Sequence, residues 1–142
     1  MVKDNDTNDE TTGQPLSAAL EDYLEAIYWL SRKHGVARAS QIAQRVNVGK
    51  SSVTAALKHL ARKGHINYDP YQYISLTEPG EAMALDIVNR HDVLKRFFAE
   101  VLGIDEELAG ETACKIEHHI DKRVLDRLLE YVRSMEPETL EE

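Results

Sequence analysis

The chain has 142 residues, a formal net charge of -8 and a single cysteine. That length can bury a real core as one ordinary domain or a small module plus an extension, and one thiol excludes an intrachain disulfide, leaving Cys114 as an apolar residue, a reactive thiol or a ligand. No apolar run reaches the roughly eighteen residues a membrane span needs, and Met1 to Pro15 is too polar for a secretory signal, so a soluble protein of the reducing cytoplasm is expected.

Residues 1–15, "MVKDNDTNDETTGQP", are polar, acidic and aperiodic, and read as a disordered tail. From Ser17 to about Lys33, Leu20, Tyr23, Leu24, Ile27, Tyr28 and Leu30 recur at helical spacing and predict an amphipathic helix. Ser40 is a candidate N-cap for a short helix through Val46. Asn47 and Gly49 break it, and a second helix from Ser51 to Lys63 turns Val53, Leu57 and Leu60 inward. After Gly64, "HINY", a "DPYQ" turn and "YISL" predict a short hairpin. Helix, tight turn, helix and hairpin in that order make a winged helix-turn-helix over residues 16–78. Thr77 then caps a long helix with Pro79 in its first turn, running to about Leu102. "GIDEELAGE" marks short connections, and Glu111 to Met135 holds Ile116, Ile120, Val124, Leu128 and Val132 at helical spacing. The fold class expected is mainly α, with an all-helical second domain over residues 79–142.

The acidic average conceals a segregation of charge. Between Arg32 and Tyr68 there is no Asp or Glu, while Arg32, Lys33, Arg38, Arg45, Lys50, Lys58, Arg62 and Lys63 all fall there. A basic, acid-free module is the footprint of phosphate neutralisation. Lys50, Ser51, Ser52 and Thr54 would occupy the N-terminal turns of the second helix, where base edges are met, with Lys58 and Arg62 further along. Arg38, Ser40, Tyr71 and Gln72 complete the candidate DNA-binding set. Each residue has a plainer reading as a cap or solvated surface, and winged helices also serve as protein-interaction modules; the ensemble favours double-stranded DNA.

Residues of ligand type are scattered more widely. "CKIEHHI", residues 114–120, places Cys114, Glu117 and His118 at i, i+3 and i+4 on one helical face. Asp22 and Glu25 are spaced i, i+3 on the first helix, and His91 sits within the long one. Singly, each is an ordinary surface residue; only the set argues for metal.

The order and spacing of "EDYLEAIYWL", "ASQIAQRVNVGKSSVTAALKHLARKG", "LTEPGEAMA", "NRHDVLKRFF" and "CKIEHHI" resemble the manganese transport regulators and the diphtheria toxin repressor group, the DtxR/MntR family of metal-dependent transcriptional regulators. The resemblance spans about Leu16 to Met135. It implies a winged-helix domain joined by the long helix to a helical dimerisation domain, with metal bound between the first helix and the dimerisation helices. Carried over residue by residue, it makes Asp22, Glu25, His91, Glu117 and His118 ligands, as in manganese-type members. Cys114 stands where those members usually have a carboxylate and the iron-type repressors a cysteine, whereas Asp22 replaces an iron-type methionine. The set is a hybrid. Lys95 and Gly110 occupy two ligand positions of the iron-type ancillary site, which is therefore poorly matched, and no SH3-like C-terminal domain is expected, since the chain ends soon after "EPETLEE".

Carboxylates and imidazole suit Mn(II) and Fe(II), and a thiolate tilts the site toward softer ions such as iron, cobalt or zinc, so Fe(II) is narrowly favoured over Mn(II), with Co(II), Zn(II) or Ni(II) as possible occupants in vitro. One or two ions per subunit are both compatible with the set. The function expected is a metal-responsive repressor of metal-uptake genes, not an enzyme, whose homodimer binds a palindromic operator. Leu94, Phe97, Phe98, Val101 and Leu102 are candidates for the dimer seam, although an internal core role fits the same pattern. Two rivals are a winged-helix regulator indifferent to metal and, less favoured, a metal-dependent hydrolase.

Overall fold

The structure, a computed structural model, describes residues 16–69 and 73–136. Its elements are α1 (Ala18–His34), α2 (Ala39–Val46), α3 (Lys50–Arg62), β1 (Ile66–Tyr68), β2 (Ile74–Leu76), α4 (Glu78–Arg96), a π-helical turn (Phe97–Val101), α5 (Glu106–Ile116) and α6 (Lys122–Ser134). The chain divides into two compact units, one running to Ala84 and one from Leu85 onward. The division falls within α4, beyond the 78/79 boundary expected from the sequence.

In the first unit, Ser17 caps α1 by accepting the Leu20 N–H at 3.3 Å. The helix ends at Gly35, whose φ of 82° suits a residue without Cβ. Leu24, Ile27 and Leu30 of α1 pack in a core with Ile42 of α2 and Val53, Leu57 and Leu60 of α3; full burial of each large aliphatic side chain contributes about 1.5–3 kcal/mol. The turn between α2 and α3 is made by Asn47 in the left-handed region, φ 56° and ψ 52°, a conformation that Asn tolerates better than most residues. The cap of α2 departs from expectation. Arg38, not Ser40, is the N-cap residue, and its own backbone N–H donates to Gln41 Oε1 at 3.0 Å. Ser40 is already inside the helix.

The hairpin forms as expected: β1 and β2 are antiparallel, pairing Ile66 with Leu76, Asn67 with Ser75 and Tyr68 with Ile74. Ile66 and Ile74 face the core. Thr77 caps α4, accepting the Gly80 N–H at 3.2 Å and donating its hydroxyl hydrogen to the Gly64 carbonyl at 2.6 Å. Gly80 itself is obligatory for a second reason. A Cβ on it would lie 1.8 Å from the His65 carbonyl oxygen, so only the absence of a side chain lets α4 start against the loop before β1.

In the second unit, Val93, Leu94, Ala113 and Leu125 form a buried cluster, with Phe98, Ile116, Ile120, Leu128 and Leu129 packed against it. The long helix reaches Val101, close to the expected end, but it changes geometry on the way. The α-helical pattern of the long helix stops at Arg96, and the last turn widens so that the Leu102 N–H reaches the Phe97 carbonyl at 3.3 Å. The chain then leaves the helix through Gly103, φ 67°. Glu111 to Met135, however, is not one helix. The last turn of α5 tightens, His119 N–H bonding the Ile116 carbonyl, and Asp121 starts α6 by accepting the Arg123 N–H at 2.8 Å. Spacing of four runs across this break from Ile116 to Ile120 to Val124, which is why periodicity alone missed it. Val124 consequently does not point inward and is 52% exposed.

Candidate nucleic-acid interface and metal cluster

The first unit presents its cations outward. Arg38, Lys50, Lys58 and Arg62 are exposed, as are Ser40, Ser51 and Ser52. Thr54 is half-buried and donates its hydroxyl hydrogen to the Lys50 carbonyl at 3.0 Å, which leaves it only acceptor capacity for a partner. The apolar positions Val53, Leu57 and Leu60 anchor the opposite face of α3 in the core, so the helix has a buried side that fixes it and a polar side that is available. Tyr71 and Gln72 lie outside the described residues. Tyr73, absent from the sequence-derived set, is 50% exposed with the Arg38 guanidinium carbon 5.2 Å from its ring centroid.

Asp22 and Glu25 lie one turn apart on α1, Asp22 exposed and Glu25 half-buried. Their neighbour Glu21, also absent from the sequence-derived set, is the acidic residue of that turn that is buried.

The second unit gathers His91, Cys114, Glu117 and His118. His91 on α4 has Nδ1 2.8 Å from Glu117 Oε2 and 3.7 Å from Cys114 Sγ. His118 Nε2 lies 3.3 Å from Glu117 Oε1, so the carboxylate is bracketed by two imidazoles. Glu117 is 1% exposed. Its place is set by the backbone: it closes α5 with its N–H on the Ala113 carbonyl, while its own carbonyl accepts from Arg90 Nη1 at 2.9 Å. Contrary to the sequence reading, Glu117 and His118 stand at the helix end and in the turn after it, not along one continuous helix. The turn still brings thiol, carboxylate and imidazole together: ligand atoms of His91, Cys114 and Glu117 all lie within 4.8 Å of one another.

A carboxylate this buried requires cationic or hydrogen-bonding partners. The N, S and O donors converging here suit a divalent transition metal. His119 and Glu111 are exposed. Lys95 carries its stem to 3.9 Å from where a Gly110 Cβ would stand, an arrangement that places an ammonium-bearing chain, not a ligand, at the positions matching the ancillary site.

The same unit also carries an apolar patch. Phe97, Val101, Val124, Arg127, Leu128 and Tyr131 line a shallow depression of about 400 Å³, with Phe97 and Tyr131 in edge contact at 6.4 Å. Leu102 is 54% exposed. Leu94 is 2% exposed within the unit's own core, so of the five proposed seam residues it has almost no surface to offer a partner.

A winged helix-turn-helix with an outward cationic face, followed by a helical unit carrying a buried carboxylate among imidazoles and a thiol, defines a DNA-binding regulator of the metal-dependent class. Residues 15–74 match the N-terminal DNA-binding domain of the iron-dependent repressors, and residues 77–138 match their metal-binding and dimerisation domain. The chain belongs to the iron-dependent repressor family, and it is a metal-responsive, DNA-binding transcriptional repressor.

Among its relatives is an HTH-type transcriptional regulator of Methanocaldococcus jannaschii, 40% identical over 114 residues, which are 80% of this chain and 91% of that one. The HTH-type regulator MntR of Lysinibacillus sphaericus is 36% identical over 118 residues, 83% of this chain and 84% of the relative. Similar solved structures include the IdeR protein of T. acidophilum, at TM-score 0.70 and 27% identity over 78% of this chain and 52% of that one. A manganese-dependent transcriptional repressor complexed with manganese matches at TM-score 0.73 and 25% identity, over 80% and 52%. The chain thus spans about half the length of these two solved proteins. No described helix is long and apolar enough to cross a membrane.

Proposed function

We propose that this protein represses metal-uptake genes in the cytoplasm, binding palindromic operators as a homodimer when Fe(II) or Mn(II) is available. The observation that carries the metal reading is the buried Glu117 carboxylate held between His91 and His118 with Cys114 beside it. These four residues would hold the ion, joined by Asp22 and Glu25 as the family resemblance implies. The bound ion would supply positive charge where carboxylates and a thiolate converge. The thiolate favours Fe(II) over Mn(II), and it distinguishes this set from an all-oxygen-and-nitrogen site.

The DNA reading is supported by the acid-free segment and by the exposed row of Lys50, Ser51 and Ser52 at the start of α3. Arg38, Lys58 and Arg62 would neutralise phosphates and the hydroxyl residues would meet base edges or phosphates. For the dimer, the depression lined by Phe97, Val101, Val124, Leu128 and Tyr131 is the apolar face of the unit matching the family's dimerisation domain. A second copy of the same patch would cover it, with Phe98 and Leu102 nearby on the same segment.

The test is anaerobic capture of genomic DNA fragments by the purified chain with Fe(II) or Mn(II), repeated with excess chelator. A few palindrome-bearing fragments retained only with metal is the expected result. Capture unchanged by chelator would remove the metal switch, and equal capture of all fragments would remove operator specificity.

A further inference from the structure

The wing is tied to the helix-turn-helix by more than its hairpin. Ala37 and Ile74 form an isolated antiparallel bridge, exchanging both backbone hydrogen bonds at 3.1 and 2.8 Å. In an antiparallel ladder a pair of this kind is followed by one without hydrogen bonds, whose side chains stand closer together, and successive side chains alternate faces. Ala37 and Ile74 are 0% and 1% exposed, so their side chains take the core face. The next pair, Arg38 and Tyr73, falls on the solvent face, side by side. Arg38 is still extended, φ -119° and ψ 148°, and the outcome is its guanidinium over the Tyr73 ring at 5.2 Å.

This arrangement leaves the cation in a particular state. Arg38 is exposed and lies in the segment that contains no Asp or Glu; among the described residues no carboxylate pairs with it. An aromatic face restrains a guanidinium while leaving its edge N–H groups available, and those groups match phosphate oxygens bidentately. Arg38 is also the N-cap residue of α2, the first helix of the pair, and in helix-turn-helix docking that helix crosses the DNA backbone. Its positive end adds to the attraction for phosphate.

We infer that Tyr73 is a positioning residue for DNA binding: its ring holds Arg38 in the orientation that meets a backbone phosphate, so that strand β2 pre-arranges a cation belonging to α2. The inference rests on the DNA-binding reading of this unit and on Arg38 as a phosphate contact. An unrestrained exposed arginine would lose rotamer freedom on binding; one already stacked loses less.

The experiment uses the full chain with Mn(II) and a fluorescent mixed-sequence 30-base-pair duplex, its anisotropy followed over a salt series. Arg38→Ala should weaken binding and lower the slope of log affinity against log salt by about one, the signature of one lost phosphate contact. Tyr73→Ala should weaken binding about three- to tenfold. Tyr73→Leu, which keeps bulk without a π face, should do the same, and Tyr73→Phe should bind as the parent does. In the Arg38→Ala background Tyr73→Leu should have no further effect. Parent-like binding by Tyr73→Leu would overturn the inference, and so would an equal loss with and without Arg38, which would make the ring a direct DNA contact or a fold element. A parent chain that bound neither this duplex at the lowest salt nor any genomic fragment would defeat the DNA-binding reading itself, and the inference with it.

Discussion

At the scale of single residues, the most informative side chain is Glu117, because burial gives it no role that water can share. With Nδ1 of His91 at 2.8 Å and Nε2 of His118 at 3.3 Å, the carboxylate is satisfied within its own unit. Glu117→Gln, an isostere, should therefore leave the metal-free thermal midpoint nearly unchanged. It should also reduce Mn(II) affinity by more than the roughly 10- to 100-fold typical of groups that only support a ligand. Thermal unfolding with and without Mn(II) reads both: the parent midpoint rises with metal by mass action, and a variant that rises equally would remove Glu117 from the ligand set. A second residue carries a pH effect. His65 is held below its ordinary value of 6.5, first by burial and then by the Lys63 charge, and its Nδ1 is buried without a hydrogen bond among the described residues. The folded chain therefore prefers the neutral ring, whereas the unfolded chain takes up a proton below about 6.5. The contribution is complete above that value and is lost as pH falls toward the depressed folded value. His65→Gln should flatten the decline of the urea midpoint between about pH 7 and pH 5; an unchanged slope would show that other groups set it.

At the scale of elements, Gly80 decides how α4 begins. The 1.8 Å approach of a built Cβ to the His65 carbonyl involves backbone on the opposing side, which no rotamer change can relieve. Gly80→Ala should cost about 1–3 kcal/mol, the range for forced overpacking, read as a lowered urea midpoint at constant m value. A neutral result would mean that α4 starts with slack the structure does not show. Sequence showed most of these elements and little of their joints. α1, α3 and the hairpin were legible because Leu24, Ile27, Leu57 and Ile74 repeat at helical or alternating spacing and fall on the buried face. The start of α4 was legible through Thr77. The cap of α2 was not, because the helix already starts at Ala39 and its N-cap Arg38 is held by its own N–H on Gln41 Oε1, with no serine hydroxyl involved. The break between α5 and α6 was hidden by apolar spacing that continues across Asp121. The cluster itself was partly legible: the residue types in "CKIEHHI" were visible, but the meeting of His91 with Glu117 is a tertiary fact. Tyr73 was missed because its significance comes from a bridge to Ala37, a partner distant in sequence.

At the scale of the whole molecule, an acidic chain keeps one acid-free basic segment, residues 32–68, in its first unit, and the second unit carries the apolar face on which a dimer would depend. Val124 and Tyr131 are 52% and 53% exposed, while Phe97 and Val101 of the π-helical turn lie beside them in the same depression. A clustered exposed apolar patch on a unit matching a dimerisation domain is the surface a second copy would cover. Val124→Glu and Tyr131→Glu introduce charge where the side chain already stands in solvent, so each monomer should keep its fold. Two like charges brought together across a two-fold seam would oppose pairing. Sedimentation velocity at micromolar concentration should shift from dimer toward monomer in the double variant, with its far-UV circular dichroism retained. Because a dimer gains from engaging two half-sites at once and a monomer does not, the same variant should lose far more affinity for a palindromic duplex than for a single half-site. If it stayed dimeric, the seam would lie elsewhere on the second unit and this face would be free for another role; if it became monomeric yet bound the palindrome as tightly as the parent, two-headed recognition would be wrong.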